Sequence, residues 1–191
     1  MALSLKSQGI PAESEWVLID GIKWATRNVD MPGKFAATPQ DAGMFYQWNR
    51  KVGWSTTDPL VNSDGGTTWD NSEGDPTDNT WEKANDPCPA GWRVPTWKEM
   101  RTLTDMSSEW TTINGVNGRT FGSDNDVLFL PAAGYRYFNS TLNYVGMHGF
   151  YWSSSSYGFW AAHLLYFNNT SFNFYTRARK FGFSVRCVVE E

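Results

Sequence analysis

No run of apolar residues in the chain approaches the roughly 18 needed for a membrane-spanning helix, so helical membrane insertion is not expected. The opening residues, Met1-Ala2-Leu3-Ser4-Leu5-Lys6, lack the basic start and apolar stretch of a secretory signal. Cysteine is scarce. Cys88 and Cys187 lie far apart and neither belongs to a Cys-x-x-Cys pair, which argues against zinc. Two readings of them stand: two buried thiols, or one disulfide tying the middle of the chain to its C-terminal strand. There are two histidines, His148 and His163, and neither has an acidic residue near it in sequence. Neither a metal centre nor a catalytic triad is expected from them. Acidic residues are absent from 127–189, where the charges are Arg136, Arg177, Arg179, Lys180 and Arg186, or +5.

What is present is aromatic. The chain of 191 residues holds 11 Trp, 8 Tyr and 12 Phe, and its net charge is -4. That charge gives no reason to expect a nucleic-acid partner. The length suits one domain. By our reading 18 of the aromatic residues fall within 127–189, among abundant Ser, Asn and Gly. Rigid aromatic area with adaptable Ser, Gly and Asn beside it is the vocabulary of antibody-type binding surfaces, and Arg is favoured over Lys and acids at interface cores.

In chain order, residues 1–15 read as a leader or linker and 16–191 as a single domain. Asp20-Gly21 predicts a hairpin between Glu15–Ile19 and Ile22–Ala25. Thr38-Pro39 predicts a helix start, with Met44, Phe45 and Trp48 as its apolar stripe. The Gly-, Asp- and Pro-rich stretch from about 53 to 87 predicts a long polar loop. Thr96 with Glu99 predicts a capping box and a second helix over about 97–106, with Trp97, Met100 and Leu103 on one side. Strands are predicted at 127–130, 151–154, 163–167, 171–174 and 182–189.

The strand patterns assign Phe129, Trp152, Phe167, Phe172 and Phe183 to the core, whereas Tyr137, Phe138, Tyr144, Tyr157, Phe159, Trp160, Tyr166, Phe174 and Tyr175 are expected outside it, embedded in polar residues. The full set of candidate ligand-binding residues adds Asn139, His148, Phe150, His163, Asn168, Asn169, Arg177, Arg179 and Phe181.

Five blocks carry a family resemblance: Gly21-Ile-Lys-Trp-Ala-Thr-Arg-Asn-Val29, Cys88-Pro-Ala-Gly-Trp-Arg-Val-Pro-Thr96, Leu130-Pro-Ala-Ala-Gly-Tyr-Arg136, Tyr151-Trp-Ser-Ser-Ser155 and Gly182-Phe-Ser-Val-Arg-Cys-Val188. In this order they resemble the Fibrobacter succinogenes major paralogous domain over roughly 16–189, a family similar to the C-type lectin and formylglycine-generating-enzyme folds. The fold implied is α+β of C-type lectin type: two helices, paired N- and C-terminal strands, antiparallel sheets and long loops.

The C-terminal region of about 135–181 further resembles the variable proteins of diversity-generating retroelements. Mutagenesis of Asn codons there cannot give Lys, Glu, Gln, Met or Trp. Only Met147, Trp152, Trp160 and Lys180 depart from that vocabulary over 135–181.

The resemblance implies a receptor- or adhesin-type module whose diversified face binds an unknown protein or glycan on a target cell. Phage tropism factors are among such proteins, and location on a virion or cell surface follows. The alternative is a carbohydrate-binding lectin-like domain of a surface or polysaccharide-processing protein. A calcium-dependent lectin would show a Glu-Pro-Asn or Gln-Pro-Asp and a Trp-Asn-Asp triplet, which this chain lacks. Asp124, Asp126 and the Asp-rich loop 58–78 are oxygen donors, but solvated turn residues are the expectation, and no cofactor is assigned. Formylglycine-type activity needs a reactive cysteine pair, and the positions of Cys88 and Cys187 read as structural. No enzymatic activity is assigned.

Overall fold

Asp20 and Gly21 both hold positive φ, 48° and 76°, the backbone that a two-residue hairpin between twisted strands requires. They join β1 (Trp16–Ile19) to β2 (Ile22–Ala25). The structure, a computed structural model, describes residues 15–190 apart from 73 and 76. All but the last residue of the expected leader lies outside the described residues.

The chain continues through β3 (Met44–Tyr46), β4 (Gly53–Ser55), a 3-10 turn (Lys83–Asn85), β5 (Trp92–Arg93) and α1 (Trp97–Arg101). A second 3-10 turn (Thr102–Asp105) leads into β6 (Ser108–Ile113), β7 (Val116–Ser123) and β8 (Asp126–Pro131). Then come β9 (Tyr135–Arg136), β10 (Leu142–Asn143), β11 (Gly149–Tyr157), β12 (Ala161–Phe167), β13 (Phe172–Ala178) and β14 (Val188–Val189). The sheets are β1-β2-β14-β5, β3-β4, β6-β7-β8, β9-β10 and β11-β12-β13, with every named pairing antiparallel.

The α+β arrangement of two helices expected for a C-type lectin fold is not what forms. Among the described residues strand accounts for 41% and helix for 7%, with one short α-helix, so the described fold is mostly β. The first expected helix fails because a distant part of the chain packs against it. Gly43 sits at φ +68°, where an added Cβ would lie 2.2 Å from the Val29 carbonyl oxygen. The Asp41 carboxylate accepts from the Thr38 amide in a tight turn. Met44, Phe45 and Tyr46 then leave as β3, all three buried, which a strand achieves only when both of its faces are covered. The second helix starts where predicted, on a complete Thr96/Glu99 capping box, but its α-helical part is five residues long.

The expected loop from 53 to 87 also contains β4 and the Lys83–Asn85 turn. No bounded strand is predicted at β6 or β7, joined at Asn114-Gly115, although the sequence reads as β-like after that turn. The expected closing strand is regular only at β14, the rest of it joining neighbours through single bridges at Gly182, Phe183 and Ser184.

The sheet β11-β12-β13 organises the interior. Trp152, Ala162 and Leu164 pack on one face with Trp48, Phe183 and Val185. Tyr151, Leu165 and Phe167 pack on the other with Trp24, Met100 and Leu128. Burial of each of the larger aliphatic side chains here contributes about 2 kcal/mol. Cys88 and Cys187 form a disulfide across 99 residues of sequence, which settles the alternatives left open for them. Closing so long a loop lowers the entropy of the unfolded chain by the equivalent of about 4–5 kcal/mol. Among the described residues no helix is long and apolar enough to cross a membrane.

Candidate functional site

Cross-strand register decides which side chains share a face. Phe150, Tyr166 and Asn173 stand in one row across the sheet, and Trp152, Leu164 and Tyr175 in the next, with Ala162 opposite Arg177 beyond. All lie on the same face, because positions two apart in a strand point the same way. This face is buried along β11 and opens toward β13, where Tyr175 is 40% exposed.

A second wall rises opposite, from β9 and the loop after β10. Gly134, at φ +74°, lets that loop come close: an added Cβ would stand 2.2 Å from the Asn143 carbonyl oxygen. The loop is stitched down by Gly146 N–H to the Ala132 carbonyl (2.8 Å) and Gly134 N–H to the His148 carbonyl (2.8 Å). It carries Tyr144, a bulky residue held at φ +54°. That left-handed conformation costs about 1 kcal/mol or more and persists only where the surroundings enforce it.

Between the walls lies an open bowl of about 360 Å³, lined by Tyr135, Tyr144, His148, Phe150, Tyr166, Tyr175, Arg177, Phe181 and Phe183. Its rings form a connected array. Tyr144 stacks on His148 at 4.4 Å with planes 6° apart, and His148 meets Tyr166 edge-on at 5.5 Å. Tyr166 continues to Tyr175 at 5.4 Å, and Tyr135 packs on Phe150 at 4.7 Å. Arg177 lies over the Tyr175 ring at 5.3 Å and donates to the Thr176 carbonyl. Among the described residues Arg177 makes no ion pair. Burial holds the Tyr135 hydroxyl above its ordinary pKa, with Tyr144 and Tyr137 adding to the shift and Arg177 opposing it. Burial lowers the pKa of His148, favouring the neutral ring.

The bowl thus gathers Tyr144, His148, Phe150, Tyr166, Tyr175, Arg177 and Phe181 from the expected set. Tyr137 and Phe138 extend its rim by packing on Phe181 at 4.9 and 6.3 Å, with the Lys180 ammonium over Phe138 at 5.3 Å.

The other candidates lie elsewhere. His163 and Phe174 are on the opposite face of the sheet, where Trp97 stacks on His163 (4.5 Å, 15°), Phe174 meets Trp97 edge-on (4.5 Å) and Tyr157 meets His163 edge-on (5.2 Å). Burial lowers the pKa of His163 too. Phe159 and Trp160 project from the β11-β12 turn, 69% and 50% exposed. The single docking face expected over 137–181 is therefore two aromatic clusters, back to back on one sheet.

Three further candidates build structure. Arg179 is 2% exposed; its guanidinium donates to the Asp75, Asp78 and Gly158 carbonyls and lies over Trp48 at 4.3 Å. Asn168 closes the β12-β13 turn, its carbonyl accepting from the Thr170 and Ser171 amides, while its amide donates to the Tyr166 hydroxyl. Asn139 does likewise for Thr141, and Asn169 is exposed at the β12-β13 turn. Of the oxygen donors weighed for calcium, Asp58 meets Arg136 at 3.0 Å, Asp70 pairs with Arg50, and Asp75 and Asp78 bind Thr77 and Asn49.

Sequence reasoning missed Tyr135, set aside within the Leu130–Arg136 block, and Phe183, assigned to the core. Phe183 is both: buried, and part of the bowl's floor. Trp97 was placed on a helix flank, and its part in the rear cluster needs the sheet to be known.

Residues 106–188 match a family described as a domain of unknown function, DUF8237. The matched stretch contains every residue of the bowl. No curated protein and no solved structure matches the chain.

Proposed function

We propose that this chain is a recognition module, without catalytic activity, that binds a protein partner through the aromatic bowl in the manner of a receptor-binding or adhesin domain. The observation that carries this reading is the bowl itself: a connected array of rings, left open on a rigid sheet, with Tyr144 held in an unfavourable backbone conformation at its rim. Tyr and Arg are the side chains that dominate binding energy at protein interfaces. A surface of this kind, once exposed, marks an interaction site. The residue vocabulary of 135–181 supports the further reading that the bowl belongs to a retroelement-diversified region. In that reading the partner is particular to this variant. The disulfide favours an oxidising setting, in keeping with display on a virion or a cell surface.

Arrays of extracellular proteins and of glycans, probed with the wild-type chain and with Tyr175→Ala, test this. The expected result is a signal on protein features that falls at least about tenfold in the variant, while the melting temperature stays within about 2 °C. Signal confined to glycans, or protein binding indifferent to Tyr175→Ala, contradicts the proposal.

A further inference from the structure

The chemistry of the bowl restricts what can sit in it. Its floor, Phe150 and Phe183, is buried and apolar, and its walls are rings. At about 360 Å³ it is near the lower limit for ligand sites, room for one or two side chains of a partner loop. Aromatic enclosures also attract cations, but here the wall carries a cation of its own. Arg177 is exposed at the mouth, no described ion pair neutralises it, and residues 127–189 contain no carboxylate. An incoming ammonium would meet like charge with no counter-charge from this segment.

The tyrosine hydroxyls and Arg177 at the walls can donate, and the neutral His148 ring adds one donor and one acceptor nitrogen. The Tyr166 hydroxyl accepts from the Asn168 amide at 2.9 Å, which leaves its own proton to be given. The Tyr135 hydroxyl is kept protonated by burial. Lys180, over Phe138, adds a second positive charge on the rim. Arginine presents a planar fork that matches a carboxylate at two points, and its hydrogen bond to the Thr176 carbonyl is made by one nitrogen of that fork.

We infer that the bowl takes an acidic-apolar segment of a protein: an aromatic or branched apolar side chain seated among the rings, with an Asp or Glu one or two positions away meeting Arg177. This deepens the reading of the bowl as a recognition site and rests on it. A protein segment is favoured because the rings meet in mixed stacked, tilted and edge-on geometry around an apolar floor, which suits an irregular side chain, with the cation confined to the mouth.

Random peptides displayed on phage and selected on the immobilised chain provide the test, with Arg177→Glu and Tyr175→Ala as parallel targets. Wild type is expected to enrich peptides in which Asp or Glu neighbours Phe, Tyr, Trp or Leu. The best of them should bind at least about tenfold more weakly to Arg177→Glu, and should weaken in about 0.5 M NaCl, where rim charges are screened. Arg177→Glu should instead enrich Lys- or Arg-containing peptides. The inference is overturned by enrichment of basic or uncharged peptides on wild type, by a consensus unchanged on Arg177→Glu, by displacement with AMP at equal concentration, or by no enrichment. Loss of acid-free peptides on Tyr175→Ala would sink the acidic preference alone and leave the bowl as the site. Indifference to both variants would remove the bowl from recognition altogether.

Discussion

At the scale of residues, the arginines separate structure from recognition. Four of them, Arg136, Arg177, Arg179 and Arg186, lie in the acid-free part of the chain and look alike in sequence. Arg186 is 1% exposed, donates to Asn28 Oδ1 and the Ala25 carbonyl, and has its pKa lowered to about 10 by burial. Arg136 gathers the carbonyls of Ser55, Thr57 and Ser140. Arg179 ties Asp75 and Asp78 to Gly158 at the β11-β12 turn. Only Arg177 of these four faces outward.

Removing a buried guanidinium strands several carbonyls, and each lost charge-assisted bond costs about 1–3 kcal/mol. Arg179→Ala is therefore expected to destabilise by about 3 kcal/mol, or roughly 6–12 °C in melting temperature for a chain of this size, whereas Arg177→Ala should stay within about 0.5 kcal/mol. Thermal unfolding followed by circular dichroism checks both, and equal losses would refute the division. The sequence reading included Arg177 and Arg179 together in the candidate site because their distinction depends on carbonyls about a hundred positions away, which no local pattern reveals.

At the scale of elements, β13 is the strand that most needs explaining. It pairs with β12 on one side and forms the outer edge of its sheet. The hydrogen bond from Asn168 N–H to the Ser171 carbonyl fixes the alternation, so residues 172, 174, 176 and 178 turn their backbone groups away from β12. An open edge invites a second chain. Two of these groups are covered by the strand's own side chains: Asn173 Oδ1 accepts from the Phe174 N–H at 2.7 Å, and Arg177 donates to the Thr176 carbonyl at 2.9 Å. Asn173→Val uncovers the first and raises strand propensity. The expected outcome is concentration-dependent dimerisation in sedimentation velocity beyond that of wild type; unchanged sedimentation would show that the cap does not guard the edge.

Which elements were legible follows from how far their causes reach. The Asp20-Gly21 hairpin and the Thr96/Glu99 helix start are written in adjacent residues, and both form. The strands around Leu128–Leu130 and Leu164–Phe167 are short apolar runs and form as well. The helix expected after Thr38-Pro39 is lost to a close approach between Gly43 and Val29, a tertiary cause. No bounded strand is predicted at β6 or β7 because their burial does not alternate cleanly: in β6 Trp110 and Thr111 are adjacent and both half-buried, and in β7 Gly118 and Arg119 are adjacent and both buried.

At the scale of the whole molecule, the mostly β architecture places aromatic residues on both faces of one sheet. Of the nine aromatics expected outside the core, Tyr144, Tyr157, Phe159, Trp160 and Tyr175 are exposed, whereas Tyr137, Phe138, Tyr166 and Phe174 are half-buried, Tyr166 and Phe174 packing against the core. Their division into a front bowl and a rear cluster around Trp97 was not legible, because sequence order does not say which face of a bulged strand a side chain takes, and β11 carries such an irregularity between Trp152 and Ser156. The bowl is the stronger candidate of the two because it is concave, cationic at its mouth and walled by a strained Tyr144.

The most direct measurement is NMR of the chain with ¹³C-labelled tyrosine, titrated with a protein that the array identifies. The account expects the ring signals of Tyr135, Tyr144, Tyr166 and Tyr175 to shift together on binding while those of Tyr46 and Tyr151, deep in the core, stay in place. Shifts confined to Tyr157 on the rear face, with the bowl tyrosines unmoved, would contradict it.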